Sequence, residues 1–322
     1  MAVLTPITED DARSILAAYG LPELRAIEGI SAGSVNSNFA LTGGGQRVFL
    51  RIYEERDLAG AGRETAMIER LARAGVPTPA PLRRLDGGLV TTLRGKAAAL
   101  FPWREGGMRC QAAVTPADTR KMGEALARVH LAGAPEKAET GRFGYEDLLG
   151  RLARIAESGD PQFSPMVPEL RASLARTRAA RDPGLPRGLT HGDLFRDNVL
   201  WDGQGNIAAL LDFESACDET YAYDLMVTVL SWCVGDDLDA RLAGAMREGY
   251  EAVRPLEERE RRGLAAEGAF AALRFTITRI TDYAMRTGAT GPRMVKDWRR
   301  FRMRFGKLDA LGAEGVCRLL GL

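Results

Sequence analysis

Within residues 190–214 the chain sets His191, Asp193 and Asn198 in the pattern His-x-Asp-x-x-x-x-Asn, and an apolar run, 207–211, then delivers Asp212 followed by Phe213. A carboxylate on such a loop can accept the proton of an attacking hydroxyl, the part expected of Asp193. An amide and a second carboxylate are oxygen donors of the kind Mg²⁺ prefers. Asn198 and Asp212 stand on the two sides of one short hairpin, where they could share the ions that bridge ATP phosphates. Read as scaffold alone, Asp193 and Asn198 would only satisfy turn backbone. The complete loop followed by a strand-borne Asp212 favours the chemical reading: phosphoryl transfer to a hydroxyl.

The elements that must position this loop follow from periodicity. Thr8, with Asp11 three residues on, opens a helix with the stripe Ala12, Ile15, Leu16 and Tyr19, and Gly20 stops it. Strands are expected at 24–29, 35–42 and 48–53, with Gly43-Gly44-Gly45 as a hairpin turn. Ser31, Gly33 and Ser34 lie where a strand turns back, and small residues there let backbone N–H groups approach phosphate. Arg51, on the strand 48–53, offers a planar fork for a phosphate or a carboxylate; the competing reading is a solvent-facing strand arginine. A helix over 61–74 brings Glu64 as its natural partner, with Glu69 the alternative. Further strands are expected near 82–85, 89–92 and 97–101, and Pro102-Trp103-Arg104 breaks the last of them, where an adenine would hydrogen-bond to backbone. The boundary is placed there, giving a nucleotide-binding lobe, 1–103, and a helical catalytic and substrate lobe, 104–322.

Helices are expected at 115–130, 146–158 and 165–181, and another from Tyr221 to Trp232 carrying Asp224. His130, at the end of the first of these, reads as a packing or dipole-facing residue. The arginines of the amphipathic helices over 238–310 mostly read as a solvated face.

Composition sets wider bounds. The 322 residues can bury a substantial core. Lys plus Arg total 44 against 43 Asp plus Glu, a net charge of +1, which gives no electrostatic case for nucleic acid or an anionic membrane. The first residues are acidic without a signal-peptide pattern, and no run reaches membrane-spanning length. Four scattered cysteines, Cys110, Cys217, Cys233 and Cys317, show no metal-type pairs and suit reduced thiols in a cytoplasmic protein.

The catalytic stretch resembles the aminoglycoside phosphotransferase and choline kinase superfamily of small-molecule kinases. Gly192 stands where protein kinases carry an Arg that pairs with a phosphorylated activation loop, which argues against that control and against a protein substrate. Other segments are similar to the kinase-fold homoserine kinases: Asn36-Ser37-Asn38-Phe39, Asp212-Phe213-Glu214-Ser215-Ala216-Cys217, Tyr223-Asp224-Leu225, Ser231-Trp232-Cys233, residues 249–256, Ala272-Leu273-Arg274-Phe275 and residues 278–283. Glu214 departs from that family's pattern.

The resemblance implies a two-lobed, protein-kinase-like α+β fold, with a small antiparallel β-sheet N-lobe and a mainly helical C-lobe. It also implies ATP and Mg²⁺ as cofactors, Arg51 in the place of an ATP-pairing Lys, and Asp224 with His191 supporting the catalytic loop. The implied activity is ATP-dependent phosphorylation of the L-homoserine hydroxyl, a step of threonine biosynthesis. A zwitterionic acceptor needs an Arg for its carboxylate and an acid or amide for its ammonium. The candidates are Arg274, Arg279, Asp282, Glu214, Asn36 and Asn38. Competing readings are a related kinase for choline, ethanolamine, hydroxylysine, an aminoglycoside or another sugar, and a non-catalytic, nucleotide-binding pseudokinase.

Overall fold

A computed structural model describes residues 4–30, 35–134, 138–235, 237–285 and 296–322. Thr8 accepts from the Asp11 N–H and Asp11 reaches back to the Thr8 N–H, so a capping box starts helix α1 (Glu9–Ala18). Its apolar stripe, Ala12, Ile15 and Leu16, packs on Phe39, Leu41, Leu50 and Leu100 of an antiparallel sheet. The sheet comprises β1 (Leu24–Ile30), β2 (Ser37–Gly43), β3 (Gln46–Ile52), β4 (Thr91–Leu93) and β5 (Lys96–Pro102), in the order β1-β2-β3-β5-β4. Gly44 and Gly45, at φ +56° and +83°, make the tight turn between β2 and β3. Helix α2 (Leu58–Arg73), capped by Asp57, follows β3.

The expected strand near 82–85 does not form. Prolines at 77, 79 and 81 remove ladder donors, and the Arg84 N–H turns to Gly88 O (2.8 Å) instead. These elements, through Gly106 and with Ala208–Leu211 added, form the first compact unit; the Leu210 N–H reaches Pro77 O at 2.6 Å within it.

The second unit takes the rest of the described residues. Its helices are α3 (Pro116–Gly133), α4 (Tyr145–Glu157), α5 (Val167–Ala180), α6 (Tyr221–Trp232), α7 (Ala240–Val253), α8 (Glu258–Arg279) and α9 (Arg299–Leu319). Helices α3 and α7 meet backbone to backbone. A Cβ on Gly123 would lie 2.0 Å from Met246 O, and one on Gly249 2.0 Å from Arg120 O. Strand β6 (Arg187–Thr190) pairs antiparallel with β9 (Cys217–Thr220), and the short strands β7 (Val199–Trp201) and β8 (Ile207–Leu210) fall between them in sequence.

Helix α6 is buried along its whole length, as is α8 from Phe270 to Arg279. Two arginines of α8 therefore depart from the solvated face: Arg274 and Arg279 are 3% and 9% exposed, whereas Arg259 and Arg262, in its first turns, face solvent. Among the described residues no helix is long and apolar enough to cross a membrane.

Candidate active site

Strand β6 hands the chain to His191, Gly192 and Asp193, and three neighbours hold that turn. Asp224, fully buried in the first turn of α6, accepts from the backbone N–H groups of His191 (2.6 Å) and Gly192 (2.8 Å). Gly192 has φ +72°, and a Cβ there would lie 2.7 Å from Ser215 O; that backbone, rather than a regulatory arginine, is what this position accommodates. Leu194 O accepts from Trp232 Nε1 (3.0 Å) and Ser231 Oγ (3.2 Å), and Arg196 donates to Gln111 and to Ser231 O.

The Asp193 backbone is tied as well. Its N–H donates to His191 Nδ1 at 3.3 Å, and its carbonyl accepts from the Phe195 N–H and from Asn198 Nδ2 (2.8 Å). His191 itself is buried against Phe213, ring centroids 4.5 Å apart. The Asp193 side chain is partly exposed, with Arg274 Nη1 at 3.7 Å.

Asp224 has a further partner that sequence reasoning left as packing. His130 Nε2 lies 3.0 Å from Asp224 Oδ2, and His130 Nδ1 lies 2.7 Å from the Tyr250 hydroxyl. Arg254 Nη1 donates to that hydroxyl (3.2 Å) and to Glu260. The Tyr250 hydrogen is therefore free to point at Nδ1, and a neutral His130 carrying its proton on Nε2 satisfies every group. Burial pushes the His130 imidazole below its ordinary value, more than Asp224 pulls it up. Burial alone would raise the Asp224 carboxyl, but the hydrogen bonds from His130 and the loop hold it below the usual range. The only advance signal was that the chain has two histidines.

Asp212 follows β8 in the left-handed region, φ +63° and ψ +64°. A non-glycine residue held there stores strain of the kind found at functional sites. Its Oδ1 is buried without a hydrogen-bond partner. Asn198 uses its amide nitrogen on Asp193 O, which leaves its oxygen as the acceptor to present. A lone-pair oxygen from each suits Mg²⁺. No cluster of three or more His, Cys, Asp or Glu side chains suited to a metal occurs among the described residues.

In the first unit Arg51 Nη1 lies 3.3 Å from Glu64 Oε1, and Glu64 also takes Arg56 at 3.0 Å and the Tyr53 hydroxyl. Glu69, the alternative partner, is forked by Arg83 (2.7 and 2.9 Å) and met by Arg73. Asn36 Oδ1 accepts from the Glu54 N–H (3.1 Å), and Asn38 sits opposite Arg51 in the β2–β3 register. Ser31, Gly33 and Ser34 lie outside the described residues.

The acceptor candidates of the second unit separate by what they already bind. Asp282 Oδ1 takes Arg151 Nη1 (2.6 Å) and the Thr281 hydroxyl, on a π-helical turn, Ile280–Ala284. Glu214 is partly buried beside Phe213. Arg279 donates to Asp297 O (3.0 Å) and lies over Phe301; burial, with Arg274 nearby, lowers its guanidinium to about 10. Arg304 falls further, to about 9, through burial and the neighbouring charges of Arg279, Arg196 and Arg300. Burial would lower Lys296, but Asp193 and Tyr283 outweigh it and raise it. The surroundings of Asp193 are thus rich in cations.

Residues 26–263 match the phosphotransferase enzyme family. A homoserine kinase from Acidiphilium cryptum (strain JF-5) is 36% identical over 290 residues, 88% of this chain and 89% of that protein. Among solved structures, an aminoglycoside phosphotransferase from Alicyclobacillus acidocaldarius superposes with a TM-score of 0.68 at 16% identity, covering 99% of this chain and 98% of that one. A spectinomycin phosphotransferase in complex with ADP and spectinomycin gives 0.67 at 14%, covering 98% of each. At those identities the structural likeness speaks for the kinase-like fold.

Proposed function

Since the chain belongs to the phosphotransferase enzyme family, we propose that it is an ATP-dependent kinase whose acceptor is the side-chain hydroxyl of L-homoserine. The observation that carries the acceptor is the cationic surround of Asp193: Arg274 at 3.7 Å, with Arg279 and Lys296 also interacting with its charge. Choline, ethanolamine and aminoglycosides are cations and would be repelled there, whereas an amino acid brings a carboxylate. The similarity to homoserine kinases supports the same choice.

In this reading Asp193, held by its own backbone bonds, accepts the hydroxyl proton as the acceptor oxygen bonds to the γ-phosphorus. The bond from that phosphorus to the β–γ bridging oxygen breaks, ADP leaves, and the product is the O-phosphate ester. Arg51, oriented by Glu64, is the cation assigned to the ATP phosphates. Asn198 and Asp212 would hold Mg²⁺, which when bound neutralises phosphate charge. Asp224, through the N–H groups of His191 and Gly192, keeps the loop in place for transfer.

An ADP-release assay across L-homoserine, L-serine, hydroxylysine, choline, ethanolamine, 3-aminopropanol and aminoglycosides tests the assignment, with ³¹P NMR identifying the ester. L-Homoserine should give the highest kcat/KM. Faster turnover of any other acceptor would reassign the substrate.

A further inference from the structure

Several inward-facing arginines of the second unit have hydrogen-bond acceptors inside the fold. Arg181 forks Glu267 (2.6 and 2.9 Å), Arg254 lies on Glu260 (2.9 Å), and Arg279 donates to a backbone carbonyl. Arg274 is more deeply buried than any of these by side chain, at 4%, yet none of its nitrogens donates a hydrogen bond among the described residues. Its Nε and Nη1 are both buried and without a partner. The guanidinium lies against two aromatic rings, 3.7 Å from the Phe275 centroid and 4.1 Å from that of Phe143. Among the described residues its ion-pair partner is Asp193, at 3.7 Å, beyond hydrogen-bond reach. It also walls a cavity of about 500 Å³ shared with Gly192, Ser215, Phe143, Tyr223 and Glu219.

Stacking compensates a guanidinium's charge only in part and leaves its in-plane donors unanswered. A planar fork set against two rings, beside the base and on the wall of a cavity, suits a carboxylate, which can accept two parallel N–H bonds. The short Arg274–Asp193 separation also limits the ligand. One molecule can place a carboxylate on the first and a hydroxyl on the second only if a few bonds separate those groups.

We propose that Arg274 is the carboxylate anchor of the acceptor site, selecting a short hydroxy amino acid over the corresponding amino alcohol, with Phe143 and Phe275 as its supports. The proposal rests on the reading of the acceptor as an amino acid and names the side chain that enforces it. Glu219, whose Oε1 already takes Arg181 and the Thr220 N–H, stands on the same cavity wall as an acidic group on the ammonium side.

The test compares L-homoserine with 3-aminopropanol, which differs only by loss of the carboxylate, in the wild type, Arg274→Met and Arg274→Lys. Removing one partner of a desolvated charge pair costs on the order of 10²–10³-fold in affinity. Arg274→Met should lower the homoserine-over-aminopropanol preference in kcat/KM by that factor, through the KM for homoserine. Arg274→Lys keeps the charge but not the fork, and should recover only part of the loss. Calorimetric titration of homoserine into enzyme without nucleotide should weaken in parallel. Equal losses on both acceptors would make Arg274 a phosphoryl-side group and overturn the proposal, as would an unchanged preference in Arg274→Lys. If the wild type ignores homoserine, the substrate reading fails by itself. The anchor is then tested with whichever acceptor the screen selects, and a selected acceptor lacking a carboxylate overturns the anchor too.

Discussion

Protonating His130 should weaken the support of the catalytic loop, and the size of the effect follows from its surroundings. The ring is fully buried between the Tyr250 hydroxyl (2.7 Å) and Asp224 (3.0 Å), and Arg254 occupies the other side of that hydroxyl. A second proton, on Nδ1, would turn the Tyr250 hydrogen away, leaving that hydroxyl to accept from two cations, His130 and Arg254, in a buried site. Burial holds the folded-state value below the ordinary 6.5, so below that pH the unfolded chain binds a proton that the native protein refuses. Stability is therefore full above about pH 6.5 and falls as pH drops, by up to about 1.4 kcal/mol per pH unit until the native His130 titrates. The Asp224 carboxyl is held below its ordinary 3.8, so its own contribution is lost only at lower pH and does not confuse this window. His130→Gln retains both bonds, an amide N–H to Asp224 and an amide oxygen for Tyr250, but cannot titrate. Urea unfolding of both proteins at about pH 7.5, 6.5 and 5.5 should show the wild type losing more stability than the variant over the last unit, by up to about 1 kcal/mol. Parallel pH profiles would refute the argument.

Asp193→Asn should keep the fold and nucleotide affinity while kcat falls about 10²–10⁴-fold, as removal of a general base does; near-normal turnover would end that assignment. Asp212→Ala should abolish Mg²⁺-dependent ATP binding in calorimetry while adenosine still binds, because the unpaired Oδ1 is the proposed ligand atom; retained Mg²⁺ dependence would rule it out. Gly192→Ala should destabilise by at least about 1–2 kcal/mol, the cost of an alanine in the left-handed region, before the 2.7 Å approach to Ser215 O is added. An unshifted urea midpoint would contradict that account.

The site's chemical core was legible because Asp193, Asn198 and Asp212 lie within one short stretch, where residue type and spacing carry the signal. Its support was less so. Asp224 meets the loop from 33 residues away and His130 meets Asp224 from 94, separations at which single-sequence patterns carry no distance information. The resemblance to kinases supplied the expectation for Asp224; it covered residues 249–256 without giving Tyr250 or Arg254 a role, and nothing comparable pointed to His130. Elements with strong local signals formed close to their expected bounds, as with the Thr8 capping box and the Gly44–Gly45 turn. The strand expected near 82–85, Leu-Arg-Arg-Leu, had no strong local signal, and neighbouring prolines and Gly88 decided against it.

The arginines show why charge content was a poor guide to this protein. A chain of 44 basic and 43 acidic residues is balanced as a whole, and helices dense in arginine normally turn them to water. Here the run from Phe270 to Arg279 is buried throughout, so its two arginines go inward with it. Burial of a cation is tolerable only with a counter-charge, an acceptor or an aromatic face, and these come from other elements: Glu267 for Arg181, Glu260 for Arg254, Asp297 O and Phe301 for Arg279. What discriminates among them is therefore the acceptor each guanidinium has found, a property of tertiary contacts. By that measure Arg274 stands apart from these: the fold supplies two aromatic rings but no hydrogen-bond acceptor among the described residues, and it lies beside the carboxylate placed to take the substrate's proton.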